Sequence, residues 1–154
     1  MHWRGHVGLT LLVLSSLAYL LDLRGLNYLV IIVLATLLCS LPDIDISLEI
    51  PHRKYTHNVF FGLIISVGFG YATYVLLNDF NIGFTSMFAA FILHIIGDLM
   101  TYQPFKPLAP FQRRGVSYKL FRSSNRVVND TLAVLGALAF AIYLIYVVTG
   151  VKLV

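Results

Sequence analysis

The sequence predicts an all-α, polytopic membrane protein, and composition, hydropathy and the arrangement of apolar runs support that fold class. Of the 154 residues, 58% are hydrophobic and 12% are charged, whereas an ordinary soluble domain has about 45–50% apolar and about 25% charged residues. The mean hydropathy is +0.83. A water-soluble fold of this composition would expose large apolar patches and aggregate. We therefore exclude a soluble globular protein and expect one integral membrane domain over residues 1–154.

Apolar runs supply the candidate transmembrane helices, of which we expect about five: Val7–Leu21, Leu26–Leu41, Asn58–Leu77, Ile82–Thr101 and Thr131–Val151. The last run contains no charge between Asp130 and Lys152, so it has the roughly 20 apolar residues that a helix needs to cross about 30 Å of hydrocarbon. The first two runs are short and meet at Asp22–Gly25. The alternative count is four transmembrane helices, with this short pair forming a re-entrant hairpin.

The first apolar run also has an alternative interpretation as a cleaved signal peptide, because Arg4 precedes it as a basic residue precedes such a peptide's apolar region. Ser16–Ala18 is a poor cleavage site, however, and His6 belongs with the polar clusters described below. We therefore expect residues Met1–Leu21 to remain in the protein.

Basic residues predict the orientation of the spans. With five spans, the N-terminus, the loop Pro42–His57 and the connection Tyr102–Asp130 share one side of the membrane. Nine of the eleven Lys and Arg residues lie on that side, against Arg24 and Lys152 on the other, and positive residues favour the cytoplasm. We predict a cytoplasmic N-terminus, an external C-terminus and a basic, proline-containing cytoplasmic loop over residues 102–130. The positive net charge is explained by topology, so no nucleic-acid partner is expected.

The strongest motif is a histidine and an aspartate four residues apart inside an apolar run, His94 and Asp98. This spacing puts both side chains on one face of a helix, where they can coordinate one ion. A charged side chain in the middle of a membrane helix costs roughly 2.5–3.5 kcal/mol on insertion scales, so it usually marks a functional or paired site. A simple hydrogen bond between helices is the alternative.

Further candidate ligands lie at the predicted cytoplasmic ends of other spans. Asp43 and Asp45 follow the second span, while His52 and His57 precede the third, which Thr56 is expected to cap. His2 and His6 precede the first span, and His6 is the better placed. All five histidines therefore fall on one predicted side. The expected metal ligands are His6, Asp43, Asp45, His57, His94 and Asp98, with His52 as a further candidate.

Six nitrogen and oxygen donors without a thiolate are enough for two ions. Such a set suits Zn²⁺ first, with Mn²⁺ or Fe²⁺ as alternatives, better than Ca²⁺. Paired divalent ions commonly hydrolyse phosphoesters. The sequence lacks a G-x-S-x-G elbow and a phosphate-binding P-loop, and we expect the lone Cys39 to fill apolar space. These patterns favour a metal-dependent hydrolase.

Four ordered motifs resemble the YdjM-like family of inner-membrane-associated, metal-dependent hydrolases. They run from residue 5 to about residue 111: Gly5-His6, Leu41–Asp45, His52–Asn58, and Leu93–Thr101 followed by the proline-rich Pro104–Pro110. The resemblance implies a helical inner-membrane protein whose metal centre is made by the six ligands above, with His52 and Arg53 beside it. Lys54 and Asn58 stand where the family usually has Gly and Ser, so we expect a differently shaped entrance.

A hydrolytic centre at helix ends is best placed to act on the polar part of a lipid. We expect a phosphoester or related bond in a lipid headgroup as substrate, with His52 or water handling protons and Arg53 or Lys54 binding phosphate. The basic loop could hold anionic lipid. The alternative is a regulatory, partner-binding protein that the metal stabilises without turnover. Cation transport fits less well because the ligands gather at one end, and a monomer and a homo-oligomer both remain open.

Overall fold

Helices form the whole of the regular structure in the part of the chain that the computed structural model describes, residues 1–47, 49, 53 and 56–152. His52 and Lys54 lie outside the described residues. Two isolated β-bridges join Thr101 with Phe121 and Phe105 with Val116. The all-α prediction is confirmed. In chain order the elements are α1 (Trp3–Leu20), α2 (Leu26–Leu38), a 3₁₀ turn (Leu41–Asp43), α3 (Ile44–Ser47), α4 (Val59–Leu77), α5 (Phe80–Leu99) and α6 (Arg126–Thr149).

Among the described residues, four segments are long and apolar enough to cross a membrane: Leu26–Asp43, Val59–Leu77, Phe80–Leu99 and Arg126–Thr149. They confirm a polytopic membrane protein. The first predicted span forms helix α1 but is not one of these four, since its first turn contains the polar Arg4 and His6. Helix α1 is nevertheless continuous and packs along α6, α2 and α5.

Helix starts differ from the predicted run boundaries because capping side chains decide them. Asn58 begins α4, since its side-chain oxygen accepts hydrogen bonds from the backbone of Phe60 and Phe61. The expected cap by Thr56 is therefore wrong. Asn125 caps α6 in the same way, so the long connection ends there and not at Asp130. Helix α1 begins at Trp3 and includes His6, which the predicted run excluded.

Helix α5 is the centre of the bundle. Buried residues make up 61% of its apolar window, against 17% in α6 and 22% in α4. Its His94 and Asp98 are both fully buried. His94 and Asp98 thus face the interior of the bundle and not lipid.

Glycines allow α1 and α6 to approach at backbone distance. A Cβ on Gly8 would overlap the backbone of Leu132, and one on Gly136 would overlap the backbone of Gly8. Small residues at crossings are the usual means of close helix packing in membranes, where lipid is as apolar as leucine. This contact places the start of α1, with His6, beside the other helix ends.

At the far end of the bundle, the turn between α1 and α2 is tied to α6. Tyr143 donates to the Leu23 carbonyl at 2.8 Å, and the Tyr146 hydroxyl contacts Asp22. Hydrogen bonds from Arg24 hold the pKa of Asp22 below its ordinary value. These contacts close the end opposite the candidate ligands.

Candidate metal centre

Four predicted ligands converge beside α5, two from that helix, one from the turn after α2 and one from just before α4: Asp43, His57, His94 and Asp98. One donor atom from each lies within 4.8 Å of the others. Asp43 ends the 3₁₀ turn after α2, and His57 immediately precedes the Asn58 cap of α4. His94 and Asp98 occupy successive turns of α5, as their spacing predicted. This group of four could hold a metal ion.

The donor atoms are closely spaced. The Nε2 atoms of His57 and His94 are 3.1 Å apart, and each lies 3.3 Å from Oδ1 of Asp43. Oδ2 of Asp98 lies 3.3 Å from the same His57 nitrogen. Two nitrogens and two carboxylates are a donor set that Zn²⁺ and related ions accept.

In both His57 and His94, the ring nitrogen that points away from the cluster makes a hydrogen bond, which determines the nitrogen that faces the cluster. Nδ1 of His94 lies 2.6 Å from the Cys39 carbonyl, which can only accept, so Nδ1 carries the proton. Nδ1 of His57 lies 3.0 Å from the Thr56 hydroxyl, which donates to Oδ2 of Asp45 at 2.6 Å. When both rings are neutral, their Nε2 atoms present lone pairs to the cluster, and either a shared cation or a proton on His57 can lie between them. The outer hydrogen bonds are those that orient metal-binding histidines.

Asp45 lies behind His57 and not in the group of four. Its Oδ2 is 3.5 Å from Nδ1 of His57, and it also accepts a hydrogen bond from the Arg53 backbone at 3.1 Å. The carboxylate is fully buried. The structure therefore places this predicted ligand where it orients His57.

His6 lies on the other side of the cluster, stacked on His94 with ring centroids 3.8 Å apart and planes 6° apart. Its Nε2 is 3.4 Å from Oδ1 of Asp98. Neither ring nitrogen of His6 has a hydrogen-bond partner among the described residues, although the side chain is buried. Buried polar atoms without partners are costly, so His6 fits a role in holding a further ion.

Cationic groups already pair with Asp98. Nη2 of Arg53 lies 2.8 Å from its Oδ2, and the Met1 amino group contacts its Oδ1. Arg53 is 8% exposed, and its backbone is left-handed with φ of 62°. That conformation is uncommon outside glycine and is concentrated at functional sites. Of the two residues predicted beside the metal, Arg53 thus reaches the cluster, while His52 lies outside the described residues.

Asp43 is the donor of the cluster that is accessible from outside. Its side chain is 24% exposed, whereas those of His57, His94 and Asp98 are at most 1% exposed. A cleft of about 290 Å³ reaches Asp43 between Met1, His2, Arg53 and Gln103. Three of the four donors are thus buried, and the fourth, Asp43, lines the cleft.

Burial and the neighbouring carboxylates act in opposite directions on His57. Burial lowers the pKa of this histidine, but hydrogen bonds to Asp43 and Asp98 raise it more, so the net shift is upward. The two carboxylates therefore stabilise positive charge at this imidazole.

Two groups at the centre were not predicted as parts of it. The Cys39 carbonyl orients His94 although Cys39 was expected only to fill space, and a backbone group leaves no mark in the sequence. Thr56 was expected to cap a helix but links His57 to Asp45. Its position next to His57 was the one available signal.

The fold and the cluster together define a polytopic helical membrane protein with a buried His/Asp group at one end of its bundle. The chain belongs to the family described as YdjM inner membrane protein, whose family model matches residues 1–154. The match extends the resemblance over the whole chain, including the segment after residue 111. Comparisons with curated proteins and with solved structures each found no match.

Proposed function

We propose that this protein is a membrane-embedded, metal-dependent hydrolase that cleaves a phosphoester or related bond in a lipid headgroup at the cytoplasmic face. The observation that carries the proposal is the pair of Nε2 atoms facing each other at 3.1 Å beside two carboxylates. Helix α5 brings both its donors to this place from within a membrane span. Positive residues on the same predicted side favour the cytoplasm.

The residues divide into groups that hold the ion and groups that orient its ligands. His57, His94, Asp43 and Asp98 would hold one ion, and His6 with the second oxygen of Asp98 would help to hold another. Cys39, Thr56 and Asp45 keep the two imidazoles in the required tautomer. When bound, a divalent ion, Zn²⁺ first among the candidates, supplies Lewis acidity and neutralises charge on a phosphoester.

Arg53 is the side chain best placed to bind the phosphate of a substrate. Its guanidinium contacts Asp98 at 2.8 Å and lines the cleft that reaches Asp43. A guanidinium beside the reacting group stabilises negative charge as it develops. His52, its neighbour in the sequence, is proposed to handle protons.

The first test is metal content and turnover in purified protein. We expect elemental analysis to find a transition metal, and a panel of lipid phosphates and diphosphates to release headgroup or phosphate. The Asp98→Asn variant should lose both the metal and the hydrolysis. Asp130→Asn is the matched control, because this exposed carboxylate pairs with Arg4 at the same end of the bundle. Metal-free wild-type protein would contradict the proposal.

A regulatory role is the second candidate, and the burial of three of the four donors favours it. Structural metal sites are closed, whereas catalytic sites keep a coordination position open. In that case the metal joins α2, α4 and α5, and the protein recruits a partner without turnover. Metal-dependent thermal stability together with no hydrolysis of any lipid in the panel would support this role over the first.

A further inference from the structure

A second cavity lies beside the candidate metal centre, between the start of α4 and the segment 103–110. It has a volume of about 730 Å³, and the lining residues that matter are Arg53, Asn58, Phe61, Ile64, Phe105 and Lys106. Two hydrogen bonds fix the segment against the helix. Val59 donates its backbone N–H to Pro107 at 2.9 Å, and Asn58 donates its side-chain amide to Ala109 at 2.8 Å. We call this cavity the lateral groove.

One wall of the lateral groove is apolar and faces outward. Phe61 is 38% exposed and Ile64 is 69% exposed. Both belong to the first two turns of α4, a candidate membrane span with little of its surface buried. The exposed face of such a helix is covered by acyl chains in a bilayer. The groove therefore opens sideways to lipid near one end of the span.

Two basic residues, Arg53 and Lys106, line the lateral groove. Arg53 lines both this groove and the cleft that reaches Asp43, so the guanidinium stands between lipid and the metal centre. Its Nε has no hydrogen-bond partner among the described residues although it is buried. Lys106 is exposed, and no acidic side chain lies among the described groove residues. Arg53 is already paired with Asp98 at 2.8 Å, so the exposed Lys106 supplies the charge that complements an anionic headgroup.

We propose that the lateral groove binds a membrane lipid with an anionic phosphate headgroup. Its chains lie along Phe61 and Ile64, and its phosphate contacts Lys106 and Arg53. Water reaches the same place through the cleft on the other side of Arg53. The lipid's role as substrate rests on the proposed function, but its binding requires no metal and no turnover.

The test measures lipid binding with metal removed by a chelator. Phe61→Trp in a Trp3→Phe background places the single tryptophan in the groove, and the protein is reconstituted in phosphatidylcholine vesicles. Its fluorescence is quenched by spin-labelled phosphatidic acid or by phosphatidylcholine labelled at the same acyl position. Tyr74→Trp is the matched reporter, since Tyr74 is exposed on the same helix outside the groove.

We expect the Phe61→Trp reporter to be quenched more strongly by phosphatidic acid, and the Tyr74→Trp reporter to be quenched equally by both lipids. Lys106→Gln should lower the preference for phosphatidic acid about fivefold, which is the usual effect of removing one basic residue that lies close to an anionic lipid surface. Lys119→Gln, an exposed lysine of the same connection outside the groove, should leave it unchanged. Ile64→Trp replaces the first reporter if that variant does not fold.

Equal quenching of both reporters by both lipids would overturn the proposal. Protection of the groove reporter from both lipids would also overturn it, in favour of a protein segment that fills the groove. The two proposals fail separately: a phosphatidic acid preference without hydrolysis contradicts the hydrolase alone, and hydrolysis without a preference contradicts the groove alone.

Discussion

The imidazoles of His57 and His94 present the same ring nitrogen to the cluster, but different kinds of group hold them. A backbone carbonyl, that of Cys39, accepts from His94, whereas a Thr56–Asp45 pair supports His57. A carbonyl cannot be removed by substitution, but the threonine can. The support of His57 is therefore the part of the centre that mutagenesis can test without removing a ligand.

Thr56→Val keeps the shape of the side chain and removes the hydroxyl that links His57 to Asp45. We expect metal affinity to fall by about 10–100-fold, the usual effect of losing an outer hydrogen bond to a metal-binding histidine. Metal titration of the purified variant measures this. Thr149→Val is the control, since that hydroxyl donates to the Ile145 carbonyl at the far end of α6. Equal affinities in the two variants would show that Thr56 does not support the site.

At the residue scale, the spacing of residues in the sequence predicted part of the candidate metal centre. The separation of His94 and Asp98 predicted one helix face, because helical geometry is local, and the structure agrees. Asp43 and Asp45 looked equivalent in the sequence. They point to different partners because the turn after α2 directs one into the cluster and the other behind His57.

At the scale of the elements, α1 extends beyond the apolar run that predicted it. Its polar first turn breaks the apolar run, so hydropathy placed its start at Val7, yet the helix begins at Trp3. His6 lies in that turn and is buried against His94. The close contact between Gly8 and Gly136 holds α1 in this position.

Gly8→Ala should destabilise the protein, because the added methyl would overlap the α6 backbone at Leu132. We expect a loss of roughly 1–3 kcal/mol, the usual cost of overpacking, measured as a lower thermal unfolding temperature in detergent. Gly68→Ala is the control, since nothing lies within 4 Å of its added Cβ. That variant should be unchanged or slightly more stable, as alanine favours helix. A stable Gly8→Ala protein would be inconsistent with the close crossing.

At the scale of the whole molecule, the bundle has two unlike ends. The His/Asp cluster, the cleft and the lateral groove lie at one end, and the Asp22–Arg24 turn lies at the other. Most basic residues belong to the first end. Orientation in the membrane therefore decides which compartment the cleft opens to.

We predict that the end with the cluster faces the cytoplasm. In a Cys39→Ala background, a cysteine introduced as Arg113→Cys should resist membrane-impermeant maleimide in intact cells and react after the membrane is opened. Lys152→Cys should react in intact cells, because it lies at the opposite end by the positive-inside rule. Reaction of the first variant from outside would reverse the orientation.

Composition and local spacing determined the class of this protein and the candidates for its site. An apolar chain must form helices in a membrane because its backbone groups have no water to bond, and the few polar residues left in it stand out. The tertiary structure decided which candidates meet. Asp43 and His94, far apart in the chain, share a site only because α2 packs on α5, and the groove beside Arg53 exists only because segment 103–110 folds onto α4. Such contacts depend on helix packing, which no local pattern records.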